Sequence, residues 1–243
     1  MIPLRDLNPT RRRPFVTYTI IAVNVAVWLY QFWLNDLTVG GATPAFEHFV
    51  RRWGVIPYYL TAEPHLGSLV TPLTSMFMHG GWLHLIGNMW FLHVFGDNIE
   101  DELGHARYLL FYLVSGLGAV ALQVAIDPSN TIPMVGASGA IAGVLGGYMM
   151  LHPRARVITL VPIFIFIQFV ELPAFLFLFV WFGLQLLYGM TSLGAEQVGG
   201  VAFFAHVGGF LVGLILVRFL RLPPDQRGPI TPELRRPAPH GWR

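Results

Sequence analysis

Four side chains in this sequence have types and spacing that could do chemistry together: Ser138, His206, His84 and Asn88. Ser138 sits in Gly136-Ala137-Ser138-Gly139, at the head of an apolar, glycine-rich segment that runs to Leu151. A serine hydroxyl becomes a nucleophile when an imidazole within about 2.6–3.2 Å takes its proton. His206, in a later apolar segment, is the candidate base, because an ionisable group inside a membrane span is a functional-site candidate by default. His84 and Asn88 are four residues apart and share one helix face. Both donate hydrogen bonds and neither is a strong nucleophile. With the backbone N–H of Ser138 at a helix N-terminus, they suit the stabilisation of an oxyanion. Together the four describe a hydrolytic site. Taken singly, each has a plainer explanation. Gly-x-Ser-Gly in a membrane helix is ordinary packing material, and Ala140 removes the G-x-S-x-G elbow of soluble hydrolases. His206, or the His84/Asn88 pair, could equally be interhelical hydrogen-bonding groups.

The elements that must position these groups are membrane helices. The chain has 243 residues, 54% hydrophobic and 12% charged, with a mean hydropathy of +0.58. Soluble domains carry about twice that charge. Apolar runs near the roughly 20 residues that span a bilayer occur at 17–34, 80–96, 108–125, 133–151, 172–190 and 201–220. Residues 35–72 are mixed and fit a segment lying partly in the interface. Residues 97–107 read as an acid-rich polar turn, and 157–170 as a short buried or interfacial connector. The expected fold is an all-α polytopic membrane protein, a six-transmembrane-helix bundle. A cytoplasmic N-terminal arm occupies 1–14, the membrane domain 15–221, and a Pro/Arg-rich tail, expected to be disordered, 222–243. No short apolar region with a small-residue cleavage site marks a cleaved signal peptide.

There are no cysteines, which excludes disulfides and thiolate metal sites. All the basic residues are arginine, and the formal charge is +2. In a membrane chain these arginines belong at cytoplasmic helix ends rather than on nucleic acid. Six spans place both termini on one side, with nearly all the arginines, so that side is read as cytoplasmic. Spans two, four and six then enter from the outer face. His84, Ser138 and His206 each fall roughly 6–8 Å along their spans at 1.5 Å per residue. Small residues recur at every fourth position, Gly139/Gly143/Gly147 in span four and Ala205/Gly209/Gly213 in span six, a pattern that lets membrane helices approach closely. His79, His93, His105 and His152 read as interface or loop residues. Asn24, Gln123, Gln168 and Gln185 read as helix–helix hydrogen bonds. No H-E-x-x-H, P-loop or dinucleotide fingerprint is present, so neither metal nor cofactor is expected.

Several ordered motifs together resemble the rhomboid intramembrane serine proteases, over about residues 14–221. They are the stretch from Leu73 through His79-Gly80-Gly81-Trp82-Leu83-His84 to Asn88-Met89, then Phe95-Gly96-Asp97-Asn98-Ile99-Glu100-Asp101, Gly136-Ala137-Ser138-Gly139, and Ala205-His206-Val207-Gly208-Gly209 with Gly213. The resemblance implies a Ser138–His206 dyad without an aspartate, His84 and Asn88 at the oxyanion, and transmembrane helices of other proteins as substrates. It also implies that residues 189–200 help to cap the site. The chain departs from the family pattern at Ala142, where many members carry an aromatic that packs on the histidine, and at Val201, often a glycine. A different class remains open, a catalytically silent relative that binds membrane clients; loss of Ser138 or His206 would mark it, and both are present. A transporter would predict paired broken spans. The expected setting is a plasma membrane, with both termini cytoplasmic and the site facing outward.

Overall fold

The computed structural model describes residues 1–35, 42–163, 166–192 and 202–227. The order along the chain is β1 (Ile2–Asp6), α1 (Phe15–Leu34), α2 (Pro44–Trp53), α3 (Pro57–Thr61), α4 (Leu66–Leu69), α5 (Thr71–Thr74), α6 (Trp82–Leu103), α7 (His105–Ile126), α8 (Ser138–Leu151), β2 (Arg156–Ile163), β3 (Phe166–Pro173), α9 (Ala174–Ser192) and α10 (Phe203–Leu220). The protein is mostly helical. Among the described residues α1, α7, α9 and α10 are long and apolar enough to cross a membrane. α8 has only 14 residues, and α6 carries Asp97, Glu100, Asp101 and Glu102 in its last turns.

α8 is the axis of the bundle. Ten of its residues, from Gly139 to Tyr148, are buried. Its glycines let backbone meet backbone. A Cβ on Gly209 would lie 1.9 Å from the Gly139 carbonyl oxygen, and one on Gly213 would lie 2.0 Å from that of Gly143. The two small-residue stripes of the sequence therefore form the α8–α10 contact. On another side Phe95, Tyr148 and Phe177 join α6, α8 and α9 through ring contacts at 5.0–6.0 Å.

Two sequence expectations are corrected, the all-α fold and the polar turn, and the N-terminal arm gains a position. The fold is not all-α, because Arg156–Ile163 and Phe166–Pro173 pair antiparallel as β2 and β3, and β1 joins them in the order β1-β2-β3. Val157, Ile158, Thr159, Val161, Ile167, Phe169 and Val170 are β-branched or aromatic and favour a pleated strand. Pro162 is tolerated because β1 pairs β2 only as far as Leu160, which leaves the strand with one neighbour there. The N-terminal arm is docked. Besides the β1 pairing, Trp90 Nε1 donates to the Pro3 carbonyl at 2.5 Å. Asp6 accepts from Asn98 at 2.7 Å and from the Tyr148 hydroxyl at 2.8 Å.

Residues 97–103 continue α6 instead of forming a polar turn. The turn is Gly104 alone, whose φ of +75° ends α6 and starts α7, a conformation glycine adopts without steric cost. The acids are buried because each has partners. Glu102 meets Arg221 at 2.7 Å and Arg227 at 2.9 Å. Asp101 accepts the backbone N–H groups of Arg11 and Arg12 at 2.8 and 2.9 Å. Arg12 also reaches the Gln226 carbonyl. Residues 222–227 are thus held against α6; the tail from residue 228 lies outside the described residues. Burial pushes the His152 imidazole, just past α8, down to about 4, so it is neutral at pH 7 beside these charges.

Glu100 caps α1. Pro14 at the N-cap has no side-chain acceptor, and the Glu100 carboxylate instead accepts Val16 N–H at 2.8 Å and Thr17 N–H and O–H at 2.7 Å. Negative charge at a helix N-terminus is also favoured by the dipole. Glu100→Ala is expected to cost about 1–3 kcal/mol by orphaning these donors. Thermal unfolding in detergent micelles measures this; unchanged stability would show that the cap is dispensable.

Candidate active site

α6, α8 and α10 all begin at the end of the bundle opposite the arginine cluster. Their first turns carry the candidate groups. His84 is the third residue of α6, Ser138 the first of α8 and His206 the fourth of α10. All three fall within the first four residues of their helices, nearer the helix starts than expected, and α8 starts five residues later than expected. Residues before it are pinned in extended form. Val55 and Met134 exchange backbone hydrogen bonds at 3.0 and 2.7 Å, and Gly136 N–H donates to the Ser75 carbonyl at 2.9 Å. This shift puts Ser138 at the N1 position, where its N–H has no intrahelical acceptor.

The structure brings Ser138 Oγ to 2.8 Å from His206 Nε2. His206 Nδ1 lies 2.7 Å from Gln185 Oε1 on α9. An amide oxygen only accepts, so Nδ1 carries the ring proton and the Nε2 lone pair faces the serine hydroxyl. Trp181 and Phe203 flank the imidazole at 6.1 and 6.4 Å between ring centroids. Ala142, where an aromatic was noted as missing, is fully buried within α8.

His84 stands on the other side of Ser138. Its Nδ1 accepts a long 3.4 Å bond from Gly80 N–H, which leaves the proton on Nε2. That nitrogen faces Gly136, whose φ is +136° and whose added Cβ would come within 2.8 Å of it. Glycine at 136 thus serves both backbone conformation and access of His84 to the serine. Asn88 Nδ2 lies 3.0 Å from His79 Nε2. One amide hydrogen is used there and the second remains for another acceptor.

His79 lies in the loop just ahead of α6 and is more enclosed than the sequence suggests. Read from sequence as an interface or loop residue, it is fully buried, its ring edge-on to His84 at 5.1 Å. Gln31 of α1 clamps its backbone, donating to the His79 carbonyl and accepting its N–H, both at 3.0 Å. The sequence signal was its place just ahead of Gly80-Gly81 and the His84/Asn88 face.

A cavity of about 890 Å³ joins these groups, with Ser138, His206, His84, Asn88 and His79 in its lining, together with Phe46 and Val50 of α2. Among the described residues no cluster of three or more histidine or acidic groups could hold a metal ion. Of residues 189–200, expected to cap the site, 189–192 belong to the end of α9 and 193–200 lie outside the described residues.

The arrangement can deliver a serine alkoxide equivalent beside several hydrogen-bond donors. Comparison with known proteins bears on the family. Residues 66–223 match the Rhomboid domain. RHOMBOID-like protein 6, mitochondrial, of Arabidopsis thaliana is 28% identical over 240 residues, covering 89% of this chain and 72% of that one. RHOMBOID-like protein 4 of the same plant is 34% identical over 87% of this chain, which spans about half of it, 54%. A Bacillus subtilis protein named as a candidate rhomboid protease is 33% identical over 143 residues, 58% of this chain and 64% of that one. The domain match covers well over half of a multi-pass membrane chain, and this chain belongs to the rhomboid family.

Proposed function

We propose that the protein is an intramembrane serine endopeptidase that hydrolyses peptide bonds in or near transmembrane segments of other membrane proteins. The observation that carries this reading is the 2.8 Å approach of Ser138 Oγ to His206 Nε2 inside a cavity of a helical bundle. His206 takes the hydroxyl proton as Oγ attacks the scissile carbonyl. The oxyanion is held by the Ser138 N–H, His84 Nε2–H and the second amide hydrogen of Asn88. His206 then protonates the leaving amine. Water enters through the cavity, gives a proton to His206 and adds its oxygen to the acyl carbonyl. The C–O bond to Ser138 then breaks, His206 returns the proton to Oγ, and the product leaves as a carboxylic acid.

In this reading α6 and α8 complete six crossings within a membrane domain of residues 15–221. Placing the arginine-rich end in the cytoplasm follows the positive-inside rule and turns the site outward. A plasma membrane fits such a chain, although two relatives carry mitochondrial names. The partners are then single-span substrates and the bilayer.

Cleavage of a model single-span substrate by the purified protein in liposomes tests the reading. Asn88→Ala should lower the rate by about 10²–10³-fold, with Ser138 still labelled by a fluorophosphonate. An unchanged rate would remove Asn88 from the mechanism.

A further inference from the structure

The imidazole of His206 is held from α9 rather than from α8. Ala142 offers it no ring. On α9, Trp181 and Gln185 are four residues apart and so lie on one helix face, and both reach His206. Trp181 approaches the ring, and Gln185 Oε1 sits 2.7 Å from Nδ1. From α8 the imidazole meets Ser138, from its own helix Phe203, and from α6 the titratable His84 acts on it.

We propose that Gln185 is the positioning residue of the base: its side-chain oxygen accepts the Nδ1 proton, fixes the tautomer and orients Nε2 at Ser138. This rests on the hydrolase reading above. The hydrogen bond at one ring nitrogen determines which nitrogen is protonated. Without an acceptor at Nδ1, the proton can sit on Nε2, where it blocks acceptance of the serine proton. The same amide dipole points its negative end at the imidazolium that forms during attack. A neutral amide thus takes the place of the carboxylate found in triads, with a smaller effect because it carries no net charge. A plain helix–helix hydrogen bond would stabilise the bundle without changing the chemical step.

The experiment compares wild type, Gln185→Leu and Gln185→Glu in liposomes, with cleavage of the model substrate and the rate of fluorophosphonate labelling as readouts. Gln185→Leu should lower kcat by about 10–100-fold, as loss of a partner that orients a functional histidine does, with KM little changed and labelling slowed in step. Gln185→Glu keeps an acceptor at Nδ1 and should return kcat to within a few-fold of wild type. If Gln185→Leu does not fold, Gln185→Asn, which withdraws the acceptor by one methylene, takes its place with the same expectation. Wild-type kcat in Gln185→Leu, or a Gln185→Glu as impaired as Gln185→Leu, overturns the proposal while labelled wild type leaves the hydrolase reading standing. A wild type that neither cleaves nor labels at Ser138 overturns both.

Discussion

Ser138→Ala is expected to lower substrate cleavage by at least about 10⁴-fold, because removal of a serine nucleophile leaves only binding and oxyanion stabilisation. The alanine removes one oxygen from the first residue of α8, and the buried helix behind it is untouched. Thermal unfolding in detergent should therefore stay close to wild type, which separates lost chemistry from lost fold. Fluorophosphonate labelling should vanish. His206→Ala should fall by a similar factor, and the double variant should be little worse than either single one, since groups that act as a unit are not additive. Equal cleavage by wild type and Ser138→Ala in liposomes would reject Ser138 as the nucleophile. Labelling of wild type without cleavage would instead mean that the chosen substrate is unsuitable.

Gly209→Val should cost nearly as much by a different route. Even the first carbon of a side chain at 209 would lie 1.9 Å from the Gly139 carbonyl oxygen on the facing helix. Backbone atoms cannot swing aside like the end of a side chain, so α8 and α10 must separate by on the order of 1 Å or more to restore ordinary contact. Gly139 adjoins Ser138, and His206 lies one turn before Gly209. The 2.8 Å contact between them would then pass the roughly 3.2 Å limit for proton transfer. A misplacement of that size costs about 10²-fold in rate, and overpacking costs about 1–3 kcal/mol or more in stability. Both fluorophosphonate labelling and thermal unfolding should report it. Gly183→Ala is the control, because a Cβ there meets nothing within 4 Å and such an exposed change should stay within about 0.5 kcal/mol. Unchanged labelling in Gly209→Val would mean that the helices are not in backbone contact at this point.

Much of this molecule is legible before any coordinates. Runs of apolar residues reveal α1, α7, α9 and α10, because lipid leaves a helix no alternative to an uninterrupted apolar surface. The four-residue repeats of small side chains reveal which helices meet, because only small residues let two backbones touch. Local periodicity also places His84 and Asn88 on one face.

Tertiary structure decided what composition could not. The acids at 97–102 look like a solvated turn in a local window; they are helical and buried because arginines and backbone donors from residues 11–17 and 221–227, remote in sequence, neutralise them. The apolar run at 157–170 is too short for a span, and its described parts, 157–163 and 166–170, are strands because they pair with each other and the chain's first residues add a partner edge. His79 looks like an interface residue until Gln31 of α1 and Asn88 of α6 close around it. Gln185 is one polar residue among several in the helices, and its place opposite Nδ1 of His206 depends on how α9 is rotated against α10. Sequence alone determined which segments are apolar enough to enter a membrane and which faces are small or polar, since those are properties of a local window. Partners separated by tens of residues were set by packing, since burial of a charge or an imidazole is stable only where the complete set of donors and acceptors converges.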